Sequence, residues 1–189
     1  MLPPFFYTAR VLASQPRSRP VYLVGMMGVG KSTIGPELAA RLGCAFLDTD
    51  EEVERRAGRS IADIFESEGE AHFRELEAQA IDVAAGGSGG AVVIALGGGA
   101  VAQPGAVERL RASGDVVFLE ADPEELVRRI EDGGSRPLLA GLDRGEQIDR
   151  LRSLLSERMP FYAQAHHRVD AAGGTFEVVD RIVAALQTG

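Results

Sequence analysis

One stretch of this chain narrows its folding options more than any other: Gly25 to Ser32, GMMGVGKS, which fits the pattern G-x-x-x-x-G-K-[ST]. It follows a run rich in β-branched residues, Val21 to Val24 (VYLV), and leads into Ile34, Leu38, Ala39 and Leu42 at helical spacing. In a strand-loop-helix unit of this kind the glycines let consecutive backbone N–H groups turn inward at a helix N-terminus, where partial positive charge favours an anion. Gly25, Gly28, Val29, Gly30, Lys31, Ser32 and Thr33 are therefore the candidate contacts to the phosphates of a nucleotide. Lys31 is placed to reach the β- and γ-phosphates, and the Ser32 hydroxyl to ligate Mg²⁺. A glycine-rich turn with a merely solvated lysine would not need Gly, Lys and Ser at these offsets. The expected ligand is a nucleoside triphosphate with Mg²⁺.

The 189 residues suit one domain with a substantial core, taken here as residues 20–189 behind an N-terminal extension, 1–19. Although 45% of residues are hydrophobic, no apolar run reaches the roughly 18 residues that a membrane span needs. A net charge of −8 argues against a protein that neutralises nucleic-acid backbones. Any anionic ligand must then find local positive charge. The single cysteine, Cys44, excludes an internal disulfide and, beside Ala45-Phe46-Leu47, reads as a small buried residue. In the extension, Arg10, Arg17 and Arg19 with no acidic residue loosely resemble an organellar transit segment, whereas a secretory signal carries its basic residues first. A flexible extension on a cytoplasmic protein is the main expectation.

From Val21 onward strand-like and helix-like patterns alternate. Apolar runs recur at Ala45 to Leu47, Val92 to Leu96 and Val116 to Leu119, with a weaker one around Arg168-Val169. Between them lie amphipathic stretches at Phe73, Leu76, Ala80 and Val83, at Ile148, Leu151 and Leu155, and at Val179, Ile182 and Leu186. Asp122, Pro123 and Glu125 mark one helix start, and Gly86 to Gly90 reads as a loop. Near-continuous apolar strands separated by helices imply an α/β fold, a parallel sheet covered on both faces. Ligands of such sheets sit beyond the carboxyl ends of the strands, so the residues there carry the chemistry.

After the second strand come Asp48 and Asp50, two apart and so on one side of an extended chain. Asp48 suits Mg²⁺ and Asp50 a substrate hydroxyl, unless both simply open the next helix. After the third come Gly97, Gly98 and Gly99, either a bare turn or a place where backbone amides approach a small polar ligand. Arg74, with Glu70 and Glu77 at helical spacing, is a surface ion pair or a ligand for an anion. Arg158, taken as closing the helix from Ile148 just before Pro160, complements a helix dipole or binds a carboxylate. Arg136 sits in a segment with glycines at both ends, Gly133 to Gly141, which reads as a lid that could bring positive charge to a transferring phosphoryl group. His72, His166 and His167 lack the spacing and partners of a metal site.

Taken together these residues resemble the shikimate kinase family. The phosphate loop, D-x-D at Asp48 and Asp50, and the triplet Gly97 to Gly99 match it in order. So do G-R-S-I-x-[DE]-I-F at Gly58 to Phe65 with Phe73, Arg74 and Glu77, then R-P-L-L at Arg136 to Leu139, and Arg158, Pro160 and Tyr162. The resemblance implies a P-loop NTPase-type three-layer α/β/α fold with a five-stranded parallel sheet in the order 2-3-1-4-5. It implies a substrate-binding region at about 49–80 and a lid at about 131–143. By the same resemblance Asp50, Arg74, Gly97, Gly98, Gly99 and Arg158 bind shikimate, Arg136 contacts phosphate and substrate, and Arg129 flanks the adenine. Lys31, Asp50 and Arg136 are then the catalytic set, Ser32 and Asp48 hold Mg²⁺, and the implied reaction converts shikimate and ATP to shikimate 3-phosphate and ADP. A monomer without nucleic-acid or membrane partners is expected. The chain departs from the family in its N-terminal extension. The rival readings are a related small-molecule kinase, such as a gluconate kinase, and a nucleotide-binding regulator that does no chemistry. The first would lack the D-x-D, the triplet and the paired arginines together, and the second would lose Lys31, Asp50 or Arg136.

Overall fold

The computed structural model of the chain describes residues 19–87, 91–133 and 137–188. The extension up to residue 18, and with it the question of a transit segment, lies outside the described residues. Five strands form, β1 (Val21–Val24), β2 (Ala45–Asp48), β3 (Val92–Ala95), β4 (Asp115–Glu120) and β5 (His167–Asp170). They pair in parallel in the order β2-β3-β1-β4-β5, with Leu23 of β1 opposite Ala95 on one side and Val117 on the other. Every residue of β1 and β3, and all but the ends of β4, is buried. Strands buried on both faces must be apolar throughout, which is why these three stand out in the sequence. The edge strands β2 and β5 are partly exposed and mix polar residues into AFLD and HRVD.

The helices are α1 (Lys31–Leu42), α2 (Thr49–Ala57), α3 (Ile61–Gly87), α4 (Ala106–Ser113), α5 (Pro123–Gly133), α6 (Arg144–Tyr162) and α7 (Thr175–Gln187). Helix α1 packs on β2, β3 and α7, while α3 lies on β3 and α4 on β4. Gly35 lets α1 approach β2, because a Cβ there would collide with the Phe46 ring. The main core joins Tyr22, Leu38, Phe118, Leu126, Tyr162 and Ile182. Burial of each such side chain contributes about 1.5–3 kcal/mol before entropy is counted. Helices α2 and α3 close a separate small cluster of Val53, Ile64, Phe73 and Ala80, inside the segment expected to bind substrate. Helix α3 is broken at Gly69, whose φ of 83° and ψ of 173° are not helical.

Several expectations change. Helix α6 starts at Arg144 behind an Asp143–Glu146 capping box and runs through Pro160 to Tyr162. Proline normally ends a helix, but here the turn beyond it is held by burial of Tyr162 against Phe118, with ring centroids 4.7 Å apart. Val83 was expected on the apolar stripe of α3 and is 53% exposed. Cys44 is partly exposed, packed against the edge of the core. Gly86 and Gly87 end α3, and residues 88–90 lie outside the described residues. Among the described residues no helix is long and apolar enough to cross a membrane.

Candidate active site

The loop between β1 and α1 takes its shape from glycines that no other residue could replace. Gly28 has φ 79°, and a Cβ on it would lie 2.7 Å from the Ile130 side chain; one on Gly25 would lie 2.5 Å from the Leu119 carbonyl oxygen. Gly30 caps α1, and its carbonyl accepts from the N–H groups of Thr33 and Ile34. Lys31 Nζ donates to the carbonyls of Gly25 at 2.8 Å and Met26 at 3.1 Å, so the ammonium is held over the loop. Ser32 Oγ donates to Asp48 Oδ2 at 2.6 Å, bringing together two of the hard oxygen donors expected to serve Mg²⁺.

Residues Met27 to Thr33 and Asp48 border a cavity of about 920 Å³ that also takes in Asp50, Gly97, Gly98, Arg129 and the turn from Gly173 to Thr175. Arg129 ties two of its walls: Nη1 donates to the Val29 carbonyl at 3.1 Å and Nη2 to the Ala171 carbonyl, just past β5, at 2.8 Å. Its Nε pairs with Glu125 at 2.7 Å. Hydrogen bonds from Arg128 and Arg129 hold the Glu125 carboxyl at about 2, well below the usual carboxylate range. Arg129 therefore lines the cavity already oriented.

Asp48 and Asp50 do not lie along an extended chain. Asp48 ends β2 and is the N-cap of α2, its Oδ1 accepting from the Asp50 N–H at 3.0 Å, while Asp50 already belongs to the first helical turn. The capping role and the site role coexist, because Asp48 has a second oxygen free of the cap for Ser32. Between them Thr49, fully buried, accepts from the Gly97 N–H at 3.1 Å and so pins the triplet to the start of α2. Sequence reasoning passed over Thr49; its place inside D-T-D was the available signal.

Each glycine of the triplet makes room for side chains from neighbouring helices. A Cβ on Gly97 would stand 2.5 Å from Glu77 Oε1 and 2.9 Å from Asp50 Oδ1; on Gly98, 3.1 Å from Arg158 Nη1; on Gly99, 2.5 Å from Arg74 Nη2. The triplet is thus the meeting point of α2, α3 and α6, and more than a turn. Arg74 lies over the Phe73 ring at 4.9 Å and donates from Nη1 to Glu77 Oε2 at 2.8 Å. Glu70 Oε1 accepts from Nη2 at 3.0 Å and Nε at 3.3 Å, so the ion pairs and the contact with the triplet are both real. Arg158 reaches Met26 Sδ of the phosphate loop at 3.8 Å. It does not close its helix, and the last turn of α6 carries no basic residue, so the dipole role has no basis. Tyr162 donates to the Gly98 carbonyl at 2.9 Å, and burial pushes its hydroxyl up to about 12.

Glu77 is the residue that sequence reasoning undervalued. It is 2% exposed, Oε1 has no hydrogen-bond partner among the described residues, and burial, with Asp50 nearby, pushes its carboxyl up against the pull of Arg74. Arg74 and Arg158 back the triplet without lining the large cavity, and Arg74 borders a smaller one of about 210 Å³ with Tyr22, Gln103 and Arg109. Arg136 lies outside the described residues; of the expected lid, Pro137–Leu139 form a turn of 3₁₀ helix with Leu139 buried. His72 pairs with Glu68 at 2.7 Å, and His166 Nδ1 accepts from the Val116 N–H at 3.1 Å.

The family model for shikimate kinase matches residues 27–187. A shikimate kinase of Symbiobacterium thermophilum is 50% identical over 149 residues, 78% of this chain and 83% of that protein. Among solved structures, a shikimate kinase from Bacteroides thetaiotaomicron superposes with a TM-score of 0.83 at 33% identity, covering 89% of this chain and 98% of that one. The Acinetobacter baumannii shikimate kinase, solved in complex with shikimate, superposes with a TM-score of 0.81 at 36% identity, covering 90% of this chain and 94% of that one.

Proposed function

The chain belongs to the shikimate kinase family and phosphorylates shikimate with ATP, a step of aromatic amino acid biosynthesis, and we propose that the phosphate loop, the D-T-D turn and the glycine triplet divide this work between them. One observation carries the assignment of roles: a single cavity brings Lys31, Asp50 and Gly98 together, with Arg158 directly behind Gly98. Amides of Gly25 to Thr33 cradle the ATP phosphates, and Arg129 holds the side of the cavity where the base lies. Arg74 and Arg158 supply donor forks for the substrate carboxylate, which a chain of charge −8 must provide locally. Gly97 to Gly99 allow the substrate to approach the backbone, and Asp50 orients the attacking hydroxyl and takes its proton as the γ-phosphoryl group moves to that oxygen and ADP leaves. Lys31 stabilises charge on the transferring group, and Arg136, proposed from the sequence, joins it there.

The donors at the loop fit Mg²⁺: Ser32 Oγ and Asp48 Oδ2 are hard oxygens already 2.6 Å apart. The ion, bound by these two residues and the nucleotide, would neutralise phosphate charge. The test is ADP release measured with shikimate, gluconate and nucleoside monophosphates side by side. Turnover with shikimate is expected; turnover with gluconate and none with shikimate would overturn the proposal.

A further inference from the structure

Arg74 is held by two carboxylates that differ in kind. Glu77 grips Nη1 from the buried side, its side chain 3% exposed, while the guanidinium lies over the Phe73 ring with Nη2 nearest Gly99. Glu70 takes the opposite edge, Nη2 and Nε, through a single oxygen, and its side chain is 63% exposed. That edge, with two parallel N–H groups, is the fork on which a planar carboxylate docks with two bonds. Glu70 is also the first residue after the break at Gly69, so its side chain can leave Arg74 without carrying the buried contact along.

We propose that Glu70 is an internal stand-in for the substrate carboxylate, occupying the Arg74 fork until shikimate displaces it. This rests on Arg74 being a ligand of the substrate carboxylate. Exchange of one carboxylate for another keeps the Nη2–Nε edge hydrogen-bonded as well as the Nη1 edge that Glu77 holds, so neither half of the guanidinium loses its partner beside the triplet. It also sets a threshold, because a ligand must beat Glu70 to stay. Carboxylates that cannot use Arg158 and the triplet as well gain too little to do so.

Steady-state kinetics on the full chain separate the possibilities, using Glu70→Gln, Arg74→Lys, the double variant and Glu75→Gln, which removes a nearby exposed charge that does not touch Arg74. Glu70→Gln is expected to lower the KM for shikimate about two- to fivefold, the range set by a partly exposed ion pair, with kcat and the KM for ATP unchanged. Glu75→Gln should leave all three constants alone, and Glu70→Gln should have no further effect once Arg74 is lysine. A KM that is unchanged or higher in Glu70→Gln, or that falls equally in Glu75→Gln, overturns the proposal. If Arg74→Lys raises the KM for shikimate while Glu70→Gln does not lower it, the stand-in role alone falls. If Arg74→Lys leaves that KM untouched, Arg74 is no substrate ligand and the wider assignment fails with it.

Discussion

The side of the cavity proposed for the nucleotide is one continuous stretch, Met27 to Thr33, built largely on backbone, whereas the side proposed for the substrate is assembled from side chains that reach Gly97 to Gly99 from α2, α3 and α6. A contiguous backbone site takes its shape chiefly from the φ angles of its glycines, with Lys31 and Ser32 supplied by the same stretch. An assembled site depends on packing, on the buried Thr49 and Glu77 and on the hydroxyl of Tyr162, none of which need touch a ligand. The difference predicts that the two sides fail separately.

Asp50 stands on the proposed substrate side, where orienting the hydroxyl and taking its proton are the roles proposed for it, so its loss should give the largest effect. Asp50→Asn should lower kcat by about 10² to 10⁴ with nucleotide affinity unchanged, read from steady-state kinetics beside an equilibrium titration. Retention of more than about a tenth of wild-type kcat would remove the proton-accepting role.

A pair of glycine variants breaks one side at a time. Gly28→Ala imposes a Cβ on a φ of 79° against Ile130 and the Leu126 carbonyl, and should raise the KM for ATP about tenfold or more with that for shikimate little changed. Gly97→Ala pushes on Glu77 Oε1 at 2.5 Å, and through it on Arg74, so the KM for shikimate should rise about tenfold with that for ATP little changed. Equal shifts of both constants in either variant would erase the distinction.

The same contrast explains how much could be read in the sequence. The phosphate loop was legible in full because its residues are neighbours in the chain and its offsets are fixed by backbone geometry. The buried strands were legible because burial on both faces forces apolar runs; β5 was faint because His167, Arg168 and Asp170 are not buried. Arg74 and Arg158 could be ranked above ion pair and helix terminator only through the family resemblance, since the triplet they back lies far off in the chain, and the end of α6 was misplaced because its holding contact is equally distant. Pro160 signals a stop locally, and the Tyr162 contact with Gly98 overrides it from 64 residues away. Thr49 and Glu77 carry no pattern of their own; only the fold shows that each holds part of the triplet's surroundings.

The smallest expected effect is one of pH. Burial raises the folded-state pKa of Glu77 above its ordinary value of 4.5, so the folded chain holds that proton more tightly than the unfolded one does. Its contribution is then fully present below the ordinary value and is lost as pH rises toward the raised one. Compared with Glu77→Gln, which cannot ionise, the wild type should lose melting temperature progressively as pH climbs above about 4.5. A constant difference between the two across that range would mean that Glu77 is not shifted upward.

The central claim, that the two sides bind independently, is tested most directly at Arg158, because its Nη1 backs Gly98 and also touches Met26 of the loop. Arg158→Lys keeps the charge and loses the planar fork. Calorimetric titration of this variant with ATP and with shikimate, each alone, should give a shikimate Kd raised about tenfold or more and a nucleotide Kd within about twofold of wild type. An unchanged shikimate Kd, or a nucleotide Kd that rises in step with it, would contradict the account.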